Sequence, residues 1–110
     1  MGQAAGRERQ VAELVERLQP LDPVKIVVFG SVARGGADRW SDLDVIVVAR
    51  RVAPRFLDRI AQAYELIDPR YALDILIYTR EEYAAMLAAD NPLILTAQAE
   101  GQVVYAGPAA

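Results

Sequence analysis

Three short apolar runs, 24–29, 43–48 and 72–78, set the frame of this chain. Each is rich in Val, Ile or Leu and bounded by Gly, Pro or polar residues, which reads as a buried strand. Helical periodicity fills the intervals. Val11, Leu14, Val15 and Leu18 mark an amphipathic helix over about 7–19, ended by Pro20 and Pro23. Pro54 suits the first turn of a second helix, whose buried stripe is predicted as Leu57, Ile60, Ala61, Tyr64 and Ile67, with Pro69 as the stop. Thr79-Arg80-Glu81-Glu82 matches a capping box opening a helix to about Ala89. Asn91-Pro92 starts another, over 92–99, which Gly101 ends before a last short strand at Val103-Val104-Tyr105. Ser31 is placed to cap a short helix through Arg34, closed by Gly35-Gly36 and followed by a polar loop at 37–41. The order α-β-α-β-α-β-α-α-β predicts an α/β (α+β) fold with helices packed on a small sheet. It has no repeat and no linker, so one domain is expected over 1–110, with a frayed tail from Gly107.

Composition narrows the chemistry. The 110 residues are 54% apolar, enough for a modest core without staples. With no cysteine there are no disulfides or thiolate metal sites, and with no histidine there are no imidazole bases and no Ser-His-Asp triad. Catalysis would have to run on carboxylates, hydroxyls, arginine, the single Lys25, tyrosine and bound ions. The net charge of −3 and a pI of about 4.9 argue against strong non-specific nucleic-acid binding. No apolar run approaches the roughly 18 residues of a membrane span, and the first residues lack a signal-peptide pattern, so a cytoplasmic location is expected.

Against that background the acidic residues inside strands stand out. Asp42 and Asp44 are two apart, so on a strand they share one face, ~7 Å apart along the chain. Two unpaired carboxylates at the mouth of an apolar strand are costly to bury, and Mg²⁺, which prefers oxygen ligands, would offset that cost. Asp42 alone reads equally as a polar loop end, whereas Asp44 precedes four apolar residues. Asp74 interrupts a third apolar run between Leu73 and Ile75, where strands usually avoid Asp. It is either an edge residue facing water or, if its strand pairs with the second, a third carboxylate beside the other two. Three such groups would repel each other without metal.

Gly30-Ser31 follows the first strand and precedes a predicted helix, an arrangement that offers free backbone N–H groups to a triphosphate. Arg34, one turn on, could neutralise phosphate or position an acceptor; it reads as readily as a solvated surface residue. Trp40 could stack on a base or pack its loop onto the domain. Arg50-Arg51 reads as surface.

Phe29-Gly30-Ser31-Val32-Ala33-Arg34-Gly35, followed by Ser41-Asp42-Leu43-Asp44-Val45, resembles the signature of the DNA polymerase β nucleotidyltransferase superfamily, in particular its minimal MNT-type members. The motif residues span 29–74. The resemblance implies a nucleotidyltransferase fold with a small mixed sheet and two Mg²⁺ ions held by Asp42, Asp44 and Asp74. It also implies ATP as the nucleoside triphosphate donor, Gly30 and Ser31 on the β- and γ-phosphates, and Asp74 helping to deprotonate the acceptor hydroxyl. It further implies a helical HEPN toxin as partner, this chain serving as antitoxin by transferring AMP to a tyrosine of that toxin.

Two other functions compete with that expectation. One is an antitoxin that neutralises by contact alone. The other is a small-molecule, aminoglycoside-type nucleotidyltransferase working as a homo-oligomer. The core uses almost the whole chain and leaves no second domain to build an acceptor pocket, which favours an acceptor supplied by a partner.

Overall fold

The computed structural model describes residues 2–29, 43–67 and 73–107. Along the chain these form α1 (Gly2–Arg17), a 3-10 turn (Gln19–Leu21), β1 (Pro23–Phe29), β2 (Leu43–Ala49), α2 (Phe56–Tyr64), β3 (Leu73–Tyr78), α3 (Arg80–Ala88), α4 (Pro92–Glu100) and β4 (Gln102–Ala106). The expected short helix from Ser31 to Arg34 and the loop at 37–41 lie outside the described residues. The other elements stand where periodicity put them, with ends shifted by a few residues.

The sheet is mixed, with order β3-β2-β1-β4. β1 pairs antiparallel with β2 and β4, and β2 pairs parallel with β3. The parallel pair needs a crossover, and α2 supplies it. Alternation along the strands creates two apolar faces. One carries Ile26, Val28, Val45, Val47, Ile75 and Ile77, covered by Leu14 of α1 and Leu18 just after it, and by Ala63 of α2 and Ile67 just beyond that helix. The other carries Val27, Ile46 and Leu76, covered by Tyr83, Met86 and Leu87 of α3 and Ile94 and Ala97 of α4. A sheet with helices on both faces explains why β1 and β2 read as nearly continuous apolar runs.

The ends of α3 and α4 form as their sequences dictate. The Thr79 hydroxyl accepts from the Glu82 N–H at 3.1 Å, and Glu82 Oε1 accepts from the Thr79 N–H at 2.8 Å, completing the capping box. Asn91 Oδ1 accepts from the N–H groups of Leu93 and Ile94 at 2.9 and 3.4 Å. After α4 the chain turns at Gly101 so tightly that a Cβ there would stand 2.3 Å from the Ala97 carbonyl oxygen and 2.8 Å from Val27 Cγ1.

The orientation of α2 corrects the predicted stripe. Leu57 is 76% exposed, Tyr64 is 46% exposed and Ala61 also faces solvent. The buried positions of the helix are Arg59 and Ala63, continued by Ile67, with Ile60 half-buried. The cause is Arg59, only 4% exposed. Its Nη1 and Nη2 donate to Glu82 Oε1 and Oε2 at 2.6 and 3.2 Å, Nε donates to the Ala53 carbonyl at 2.6 Å, and the remaining N–H groups reach the carbonyls of Pro54 and Ile77 at 3.1 and 3.4 Å. All five guanidinium donors are thereby engaged, which makes burial of the charge tolerable and fixes the helix rotation. The stripe then runs 59, 63, 67 at helical spacing: of the predicted set Ile67 and, in part, Ile60 face inward, while Leu57, Ala61 and Tyr64 turn outward.

Candidate active site

Two of the three residues that motivated a metal site, Asp44 and Asp74, fall at one end of the sheet. Asp44 is the second residue of β2 and Asp74 the second residue of β3. In the parallel ladder they are direct partners, so their side chains leave the same face on strands ~4.8 Å apart. Asp44 is half-buried on an inner strand and Asp74 is exposed on an edge strand. Phe29 pairs with Asp44 from the other side. One row across this face therefore reads Phe29, Asp44, Asp74, and the next reads Val27, Ile46, Leu76. The second row is sealed by α3 and α4; the first presents two carboxylates at the rim.

Gly30, Ser31, Arg34 and Asp42 lie outside the described residues, as does Trp40. Phe29 and Leu43, the sequence neighbours of Gly30 and Asp42, both belong to the end of the sheet that carries the two carboxylates. Among the described residues no group of three carboxylates converges as a metal cluster; the pair consists of Asp44 and Asp74. Two carboxylates aligned on one face fit a hard divalent cation, which takes oxygen ligands and removes the repulsion between like charges set directly opposite.

The electrostatics elsewhere are structural. The Arg59 fork beside Glu82 holds that carboxyl below the usual glutamate range, helped by the Thr79 N–H. Burial pushes the Tyr78 hydroxyl up, and the nearby Glu82 charge adds to it. Both groups belong to the far end of β3 and the start of α3. The sequence reading passed over Arg59, although an arginine four residues before Ala63 and eight before Ile67 occupies an inward position on the helix. It also passed over the environment of Lys25, whose ammonium stands 5.2 Å from the centre of the Tyr83 ring.

Comparison with known proteins gives the fold its family. The family model described as "Nucleotidyltransferase domain" matches residues 8–93. A candidate protein adenylyltransferase of Methanocaldococcus jannaschii is 31% identical over 87 residues, which cover 76% of this chain and 59% of that protein. The chain thus spans about three fifths of the length of this curated relative. Among solved structures, a toxin–antitoxin crystal structure with AMP-PNP superposes with a TM-score of 0.64 at 20% identity, covering 88% of this chain and 73% of the other. A candidate nucleotidyltransferase of Sulfolobus solfataricus superposes with a TM-score of 0.56 at 20% identity, covering 77% and 84%. The family match and the relative together show that this chain belongs to the nucleotidyltransferase domain family. No helix among the described residues is long and apolar enough to cross a membrane.

Proposed function

We propose that this chain is a Mg²⁺-dependent adenylyltransferase that transfers AMP from ATP to a hydroxyl of a partner protein, a tyrosine of a HEPN-type toxin, and so acts as an antitoxin. The observation that carries this reading is the in-register placement of Asp44 opposite Asp74. The relative from M. jannaschii supports protein as the acceptor class, and the toxin–antitoxin structure with AMP-PNP supports the partner and the nucleotide.

In this reading Asp42, Asp44 and Asp74 hold two Mg²⁺ ions. When bound, these supply charge neutralisation for the triphosphate and for the oxygens entering and leaving phosphorus. Gly30 and Ser31 bind the β- and γ-phosphates through backbone N–H groups and a hydroxyl. Arg34 neutralises phosphate charge. Asp74, exposed on the edge strand, accepts the acceptor's hydroxyl proton. The acceptor oxygen forms a bond to the α-phosphorus, the bond from that phosphorus to the β-phosphate bridging oxygen breaks, and pyrophosphate leaves with the electron pair. The inner Asp44 stays on the nucleotide side, so the edge is left for the incoming protein.

The test is incubation of the chain with α-labelled ATP, Mg²⁺ and the protein encoded beside it. Label on a tyrosine of that protein, lost with Asp44→Asn, is the expected result. Binding without label overturns transfer. Neutralisation of the toxin that survives Asp44→Asn would favour masking by contact.

A further inference from the structure

The rows of side chains that run back from the aspartates end in a different environment. Lys25 is the only lysine in the chain and interrupts the apolar strand β1. It pairs with Val48 of β2, and Val48 pairs with Tyr78 of β3, so these three form the row farthest from Asp44 on the same face. Four residues along a strand separate Lys25 from Phe29, about 13 Å. The packed cluster of Val27, Ile46, Ile94 and Ala97 lies between the lysine and the carboxylates. Whatever Lys25 does there, it does apart from the aspartate pair.

The lysine borders a cleft of about 320 Å³ bounded by β1, α3, the end of α4 and the start of β4. Val27, Ala97 and Val103 make its apolar walls, while Lys25, Tyr83 and Gln98 bring polar groups. The ammonium rests against the Tyr83 ring, and among the described residues no carboxylate stands within ion-pair distance of it. The ring favours a cation without neutralising it. Gly101 lines the cleft's edge, where the tight turn it permits joins α4 to β4; a Cβ there would clash with the Ala97 carbonyl and Val27. A concave site of this size lies at the small end of ligand pockets, and apolar walls with a few polar groups are their usual make-up.

We propose that this cleft binds a small organic anion, with its carboxylate or phosphate head on Lys25 and its apolar body between Val27, Ala97 and Val103. Gln98 offers an amide for a second polar contact, and Tyr83 a face for an aromatic or branched body. The site is separate from the aspartate pair and does not rest on the proposed transfer reaction.

The experiment is an amide NMR titration of the whole chain with three probes: phenylacetate, phenyl phosphate and neutral phenylacetamide. Saturable shifts at Tyr83, Gln98, Gly101 and Val103 with an anionic probe, at least tenfold weaker with phenylacetamide, are expected. Whichever anionic probe binds tighter identifies the head group. Lys25→Met should weaken binding at least tenfold. Val103→Phe, at a position 56% exposed and therefore tolerant of a larger side chain, should block it by filling the mouth. Asp44→Asn should leave it unchanged. The absence of saturable shifts at these residues, equal binding of phenylacetamide, or full binding by a folded Lys25→Met or Val103→Phe variant would overturn the proposal.

Discussion

Asp44 and Asp74 stand directly opposite each other on parallel strands, one half-buried on an inner strand and the other exposed at the sheet edge. Like charges so placed destabilise a ladder. Without divalent cation, Asp74→Asn should therefore raise stability by about 0.5 kcal/mol, read as a higher denaturation midpoint. Label transfer should fall at least about a hundredfold, since lost transition-state electrostatics of this kind is worth several kcal/mol. A variant both less stable and fully active would mean the pair does neither job.

Ligand linkage gives a second check. Mg²⁺ with ATP at 100 times its dissociation constant should stabilise the wild-type chain by about 2.7 kcal/mol, because the ligand binds only the folded state. Asp42→Asn combined with Asp44→Asn should abolish the shift. A full shift in the double variant would place nucleotide binding away from the carboxylates.

Arg59→Met should be among the most damaging substitutions. It removes the donors that satisfy Glu82 and the carbonyls of Ala53, Pro54 and Ile77. A loss on the order of 3 kcal/mol is expected in denaturant unfolding. Leu57→Gln, by contrast, should change stability by less than about 0.5 kcal/mol, because Leu57 faces solvent.

Acid should unmask the same clamp. The Arg59 fork lowers the Glu82 carboxyl in the folded state. A folded value below the unfolded one contributes stability that is complete above the ordinary glutamate range and is lost as pH falls through the lower, folded value. Unfolding midpoints measured from neutral pH downward should decline across that interval. Glu82→Gln should flatten the decline while lowering stability at neutral pH.

Gly101→Ala should cost about 1–3 kcal/mol through overpacking against the Ala97 carbonyl and Val27, measured by thermal unfolding. A neutral effect would mean the turn after α4 can relax.

Much of this architecture was legible because strand and helix periods differ so clearly in this chain. The runs at 24–29, 43–48 and 72–78 became β1, β2 and β3, and the Thr79–Glu82 and Asn91-Pro92 signals became α3 and α4. Asp44 and Asp74 were conspicuous because a carboxylate in an apolar strand has few structural explanations. Their pairing was not legible, since strand order depends on long-range contacts that no local pattern encodes. The face of α2 was misread for a related reason. Leu57, Ala61 and Tyr64 line up with Ile60 and Ile67 in the sequence, and what turns Arg59 and Ala63 inward instead includes Glu82, 23 residues away, and the Ile77 carbonyl. The cleft at Lys25 was hidden likewise, being assembled from four elements.

The parallel alignment of β2 with β3 has one more consequence. Displacing β3 by a single residue would turn every side chain to the opposite side, driving Asp74 among Leu14, Leu18 and Val45 and pushing Ile75 and Ile77 out from beneath α1 and α2. An unpaired carboxylate in that dry interior would forfeit several kcal/mol. Misassembly at this point would thus announce itself as instability before it could appear as a poor catalyst, so selection for a stable sheet also guards the alignment of its two acids.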